Sequence, residues 1–227
     1  SFNRPFGGPE LHILDSTVPA QITRIEEAVD LRRSLFIVSS KSGATIESNL
    51  LHQHFFDRVS GQLGERTGEH FIAITDPGST LEAVAKRHGF RMLIQGLPSI
   101  GGRFSALSDF GMVPAAILGL DVRRLLGRAA AMVQECGPAS SPGNNPGVQL
   151  GLALALAGGD GRDKVTLIAS PEVKAFGSWL EQLIGESTGK DGRGLILVDG
   201  EPVGSPDDYG DDRLFVSLEL DSEDGKD

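Results

Sequence analysis

Short apolar runs recur at intervals suited to a strand followed by a helix, and that alternation is what limits the folds open to this chain. Leu11-His12-Ile13-Leu14, Ser34 to Ser39, Phe71-Ile72-Ala73-Ile74-Thr75 and Met92-Leu93-Ile94 each read as a short strand. Val18 to Val29, with Ser16 and Thr17 as caps, Thr45 to Val59 and Ser79 to His88 carry apolar residues at helical spacing. Four alternations in about a hundred residues predict an α/β architecture: a parallel sheet flanked by helices, with ligands expected beyond the carboxyl ends of the strands.

From Asp109 the texture changes. Gly111 to Leu118, Val122 to Cys136 and Val148 to Ala157 read as helices with no strand between them, and the proline-, glycine- and asparagine-rich stretch from Cys136 to Pro146 reads as a loop. The strand pattern restarts at Val165 to Ala169. A helix near Val173 to Glu186 follows, then strands near Leu195 to Val198 and Leu214 to Leu218. The expected organisation is a first α/β unit over 1–120, a helical connection over 121–162, and the beginning of a second α/β unit over 163–227. The acidic stretch from Glu219 to Asp227 reads as a solvated end.

The formal net charge of −10 opposes nonspecific attraction to nucleic acid or to an anionic membrane, so an anionic ligand has to be caught by local positive potential. No apolar run approaches the ~18 residues of a spanning helix. The single cysteine, Cys136, forbids an internal disulfide and favours a reducing, cytoplasmic setting.

Local positive potential is what the run Ser39-Ser40-Lys41-Ser42-Gly43-Ala44-Thr45-Ile46-Glu47-Ser48 offers. It stands between a strand and a helix, where unpaired backbone N–H groups and the helix dipole favour an anion. Ser40, Ser42, Thr45 and Ser48 add hydroxyls and Lys41 a full charge. A phosphate monoester fits this better than a nucleoside triphosphate, because the G-x-x-x-x-G-K-[ST] pattern is absent. Capping of the next helix accounts for one of these hydroxyls, not for four and a lysine.

Two further motifs carry charge. Gly101-Gly102-Arg103-Phe104-Ser105 follows the last strand of the first set, where paired glycines allow close backbone approach and Arg103 presents a planar, permanent cation able to stabilise an oxyanion. A glycine turn with an ion-paired arginine is the plainer account. Gln182 and Glu186, four apart near the end of a helix, project from one face beside apolar Phe176, Trp179, Leu180 and Leu183, which suits Glu186 for a general base. An exposed glutamate near a glycine stop is the alternative. His52 and His54 point to different faces of a helix, and His12, His70 and His88 stand alone, so no metal pattern is formed.

In this order, S-K-x-x-x-T, G-G-R-[FY]-S and Q-L-x-x-E-S-x-G-K resemble the glucose-6-phosphate isomerase family, whose two sugar-isomerase (SIS) domains form a single active site. Leu11 to Thr17 and Tyr209 to Phe215 extend the likeness over nearly the whole chain. It is most similar to the isomerase half of bacterial transaldolase/glucose-6-phosphate isomerase fusions. The resemblance implies a flavodoxin-like SIS fold and a homodimer. It implies that Ser40, Lys41, Ser42, Thr45 and Ser48 hold the sugar phosphate, that Arg103 stabilises the enediolate, that Glu186 moves the proton between C2 and C1, and that Gln182 hydrogen-bonds the substrate. Ser48 stands where relatives commonly have threonine. A first strand with a G-x-G-G-S segment is expected before Ser1, and a ring-opening histidine and a C-terminal lysine after Asp227. The chain therefore reads as a trimmed piece with impaired activity.

The chemistry asks for those residue types. Aldose–ketose exchange needs a carboxylate base, fixed positive charge at the developing oxyanion and a grip on the phosphate, with no metal or organic cofactor. The competing expectations are a noncatalytic SIS module binding a sugar phosphate as a regulatory ligand, which needs no base, and a dimerising scaffold that binds none.

Overall fold

Phe36–Ser39 (β1), Phe71–Thr75 (β2) and Met92–Gln95 (β3) pair in parallel in the order β1-β2-β3, in a computed structural model that describes residues 8–220. Phe36 lies opposite Phe71 and Ile72 opposite Met92, so Phe36, Val38, Phe71, Ala73 and Leu93 share one face. That face is the core. Val38, Phe71 and Ala73 pack there with Phe55 and Val59 of the helix Ile46–Leu63 (α2), Leu81 and Ala85 of Thr80–Arg87 (α3), and Ile25 of Pro19–Ala28 (α1). The centre is aromatic: the Phe71 ring stacks on Phe36 at 4.9 Å and touches Phe56 and Phe90 at 5.2 and 5.3 Å.

Sequence and structure agree closely on β2, and α3 begins where Ser79 predicts, with the Ser79 hydroxyl accepting the Glu82 N–H. Leu11–Leu14 is a correction. It forms no strand; Leu11 and Ile13 are exposed and Leu14 alone reaches the core. A short apolar run is a strand only where a ladder partner meets it, and periodicity carries no information about partners. Ser16 does not cap α1 in the ordinary sense either. Its hydroxyl accepts from Val18, the N-cap residue, whose own side chain makes no cap bond.

The chain resolves into two compact units, Ser1–Leu126 and Gly127–Asp227. In the first, β3 leads to a 3₁₀ turn, Gly102–Leu107, and the helix Asp109–Ile117 (α4); Val122–Glu135 (α5) runs through the boundary. The second contains Pro146–Gly159 (α6), Lys164–Ala169 (β4), Phe176–Thr188 (α7), Ile196–Val198 (β5) and Arg213–Leu218 (β6). Its sheet is again parallel, in the order β5-β4-β6, with Lys164 opposite both Ile196 and Arg213. Val165, Leu167 and Leu197 form its buried core, against Leu154 of α6 and Leu180 and Ile184 of α7. Asn145 accepts from the Val148 N–H at the head of α6, whose first turn takes Pro146 at no cost in hydrogen bonding. Of the acidic stretch, residues 221–227 lie outside the described part of the chain. No helix among the described residues is long and apolar enough to cross a membrane.

Candidate functional site

Ser40 to Thr45 carry the chain from the carboxyl end of β1 into α2, and the turn is held by hydrogen bonds of its own hydroxyls and to the neighbouring strand. The Ser40 N–H donates to Ile74 O at 3.0 Å, extending the β1–β2 ladder by one rung. Ser40 is buried, at 6% exposure; its Oγ accepts the Gly43 N–H at 3.2 Å and lies 3.3 Å from Thr45 Oγ1. Ser42 Oγ accepts the Ala44 N–H at 3.1 Å, and Ser48 Oγ donates to Thr45 O at 3.0 Å. Gly43 has φ +67°, and a Cβ there would fall 2.5 Å from Leu81 N, so the turn closes against the head of α3 only with glycine. Its carbonyl accepts from Thr80 Oγ1 at 2.6 Å and from Asn49 Nδ2 at 3.1 Å.

The start of α2 is open. Thr45 is its N-cap but makes no side-chain cap bond, so it leaves the N–H groups of the first helical turn to other partners. Ser42 uses a lone pair inside the turn and can donate its hydroxyl hydrogen to a ligand, while the Ser40 and Thr45 hydroxyls share a hydrogen bond in which either can donate. Ser42 and Thr45 are exposed and Ser48 is half-buried. Lys41 is the departure from a simple cationic ligand: its Nζ lies 2.9 Å from Asp76 Oδ1, 2.8 Å from Asp76 Oδ2 and 3.1 Å from Leu97 O.

The remaining candidates divide between the units. Arg103, half-buried, sits on the 3₁₀ turn after β3 with its guanidinium 4.8 Å from the Phe104 ring centroid. Neither Gly101 nor Gly102 has positive φ, and a Cβ on Gly102 would meet nothing within 4 Å. In the second unit, Gln182 and Glu186 lie on α7, both exposed, with Gln182 Nε2 donating to Glu186 Oε1 at 3.1 Å. α7 runs through Gly185 to Thr188, so Glu186 belongs to a continuous helix and not to a frayed end.

The histidines take packing roles. His52 is set among the Phe56, Phe71 and Phe90 rings at 5.5–5.8 Å, and burial, with His88 nearby, holds its pKa below the usual imidazole value. His54 meets Glu26 at 3.1 Å. Among the described residues no group of His, Cys, Asp or Glu is placed to hold a metal ion. A cleft of about 610 Å³ on the second unit, lined by Tyr209, Arg213 and Phe215, contains none of the candidate residues.

Sequence reasoning missed the support of the turn: Asn49, Thr75, Asp76 and Thr80. The signal was present. Asp76-Pro77-Gly78-Ser79 directly after β2 is a turn and a cap, and a tight connection at that point has to touch the neighbouring strand's loop.

Comparison with known proteins finds relatives over most of the chain. Glucose-6-phosphate isomerase of Carboxydothermus hydrogenoformans is 30% identical over 185 residues, and that of Rubrobacter xylanophilus 32% over 219, covering 81% and 92% of this chain. The enzyme of Thermosynechococcus vestitus is 36% identical over 188 residues, 80% of the chain. Over most of its length, the chain is homologous to part of glucose-6-phosphate isomerase.

The chain spans less than half the length of these isomerases, 40%, 48% and 35% respectively. Structural likeness agrees. A glucose-6-phosphate isomerase from Chlamydia trachomatis matches with a TM-score of 0.68 at 26% identity, over 80% of this chain and 35% of its own. A hypothetical protein from Thermus thermophilus matches with a TM-score of 0.74 at 27% identity, over 92% of this chain and 46% of its own. No family model matches the chain.

Proposed function

We propose that this stretch belongs to an aldose–ketose isomerase that interconverts glucose 6-phosphate and fructose 6-phosphate. One observation carries the reading: the turn at the carboxyl end of β1 leaves the start of α2 uncapped and surrounds it with the hydroxyls of Ser40, Ser42, Thr45 and Ser48. The likeness to glucose-6-phosphate isomerases across both units supports it.

In this reading Ser40, Lys41, Ser42, Thr45 and Ser48 form the cradle that holds the sugar's phosphate and so orients its carbon chain. Glu186 removes the proton α to the carbonyl and returns it to the neighbouring carbon. The pair of electrons left behind forms the enediolate, whose oxygen the Arg103 guanidinium neutralises. Gln182, donating to Glu186 Oε1, fixes the carboxylate's orientation and offers its amide to the substrate. A preorganised donor such as Arg103 is typically worth ~3 kcal/mol at the transition state, and a positioned base roughly 10²–10⁴-fold. The same reading carries a homodimer, a cytoplasmic setting and a place in glycolysis and gluconeogenesis.

The test is fructose 6-phosphate turnover in a coupled assay, on the natural-length protein that carries this stretch and on the same protein with Glu186→Gln. A loss of roughly 10²-fold or more in the variant is expected. An inactive wild type that still binds fructose 6-phosphate overturns the isomerase reading and leaves a noncatalytic sugar-phosphate module in its place.

A further inference from the structure

The loop after β2 holds the hydroxyl turn at three points. At Lys41 the backbone carbonyl accepts the Asp76 N–H at 3.0 Å and the Thr75 hydroxyl at 3.2 Å, while the ammonium reaches the Asp76 carboxylate. The 75–76 dipeptide thus grips both ends of one residue. At Gly43 the carbonyl accepts the Thr80 hydroxyl. Ser79 ties the two together, its Oγ 2.7 Å from Thr75 Oγ1 while accepting the Glu82 N–H that starts α3.

The third strand's loop closes the clamp. Leu97 O accepts from Lys41 Nζ, and the Phe110 ring lies 5.5 Å from the ammonium. Gly96 makes room for the carboxylate: a Cβ there would lie 2.6 Å from Asp76 Oδ1 and 2.6 Å from Phe110. Lys41 and Asp76 are about four-fifths buried, at 22% and 19% side-chain exposure, so this is not a flexible surface pair. Two carboxylate oxygens and one carbonyl match the three donors of an ammonium.

We infer that Asp76 is a positioning residue: by clamping Lys41 across the carboxyl ends of β1, β2 and β3 it fixes the hydroxyl turn in its anion-receiving shape. The inference rests on the phosphate-cradle reading for its purpose, though not for its geometry. Lys41 then serves the cradle as a strut. Its charge is directed at Asp76, and capture of the phosphate falls to the hydroxyls and to the open start of α2.

The experiment is amide hydrogen exchange on the 227-residue chain, with inorganic phosphate titrated into the same samples. Asp76→Asn is expected to speed exchange at Gly43 and Ala44 by tenfold or more, leave the β2 amides Phe71 to Thr75 unchanged, and weaken phosphate binding about tenfold. Asp76→Glu is expected to restore most of both. Gly96→Ala, which crowds the carboxylate without removing its charge, is expected to speed exchange at the same two amides, and it keeps the claim testable if Asp76→Asn does not fold. Unchanged exchange at Gly43 and Ala44, or tighter phosphate binding by Asp76→Asn, overturns the inference and makes Asp76 a brake on the charge of Lys41. If the wild type binds no phosphate while exchange at the turn still responds to Asp76→Asn, the positioning stands and the phosphate reading falls.

Discussion

At the carboxyl end of β1 the chain turns through Ser40 to Thr45 into α2; at the same end of β4 it turns through Ser170 to Ala175 into α7. The two connections share a topological place, a lysine and a helix start without a side-chain cap, and differ in the rest. The first has a buried serine, a left-handed glycine and an uncapped helix start facing exposed hydroxyls. The second has a single hydroxyl, Ser170, whose oxygen faces the Leu220 N–H at 3.4 Å, and its exposed Lys174 stands two residues from an exposed Glu172. Parallel α/β topology offers a ligand position at every such strand end. Side chains decide which one is used, and the proposed cradle lies at the β1 end, where four hydroxyls and a carboxylate clamp on the neighbouring loop come together.

The cores differ in the same direction. Under β1 and β2 an aromatic cluster of Phe36, Phe55, Phe56, Phe71 and Phe90 meets fully buried Val59 and Ala73. The second unit's buried hydrophobic residues, among those described, are Val165, Leu167 and Leu197. The proposed phosphate cradle stands on the sheet with the larger buried core.

The largest expected effect breaks the comparison at its base. Phe71→Ala empties the centre of the first core and costs about 3–5 kcal/mol. The sole tryptophan, Trp179, lies on α7 and reports the second unit, whereas circular dichroism reports both. The chemical-denaturation curve by circular dichroism should split, with the Trp179 fluorescence transition nearly unmoved; an equal shift in both signals means that the units unfold as one. Next, Ser40→Ala strips the Gly43 N–H of its acceptor at a buried position, for about 1–3 kcal/mol of local stability. Faster amide exchange confined to the turn is the readout.

Acid sharpens the contrast in a third way. His52 is held below its usual pKa first by burial and then by His88, with Asp57 acting the other way. Its neutral form is the one that folds, so the contribution is complete above about pH 6.5, the unfolded value, and is lost as pH falls through the lower folded one. Wild-type stability measured at pH 7.5 and 5.5 should fall more than that of His52→Phe, and an equal fall in both proteins contradicts the assignment. The smallest effect is in the second unit, where Lys164 donates to Asp212 at 2.6 Å and to Asp163 at 3.2 Å. Asp212 keeps its carboxylate pKa low and Lys164 its amine pKa high chiefly through that mutual hydrogen bond. Exposed pairs of this kind contribute little, so Asp212→Asn should leave the Trp179 transition close to wild type in about 0.5 M salt.

Much of this was legible in the sequence because it is local. β2 follows from its apolar run and the start of α3 from the Ser79 cap, and Gln182 and Glu186 share a face because helical spacing puts them there. What was not legible depends on partners distant in the chain. Leu11–Leu14 has the apolar character of a strand and no ladder to join. Lys41 looks like a free cation until Asp76, 35 residues on, is folded against it. The four hydroxyls look equivalent in sequence, yet Ser40 and Ser42 organise the turn, Ser48 bonds back to Thr45, and only the fold distinguishes those tasks.

The most direct test of the phosphate cradle is a comparison of fructose 6-phosphate with fructose, each titrated into the isotopically labelled chain and followed by amide chemical shifts. The account predicts shifts concentrated at Ser40 to Ser48 with the phosphate ester and none there with the free sugar. Shifts centred on Ser170 to Ala175, or equal responses to both sugars at Ser40 to Ser48, contradict it.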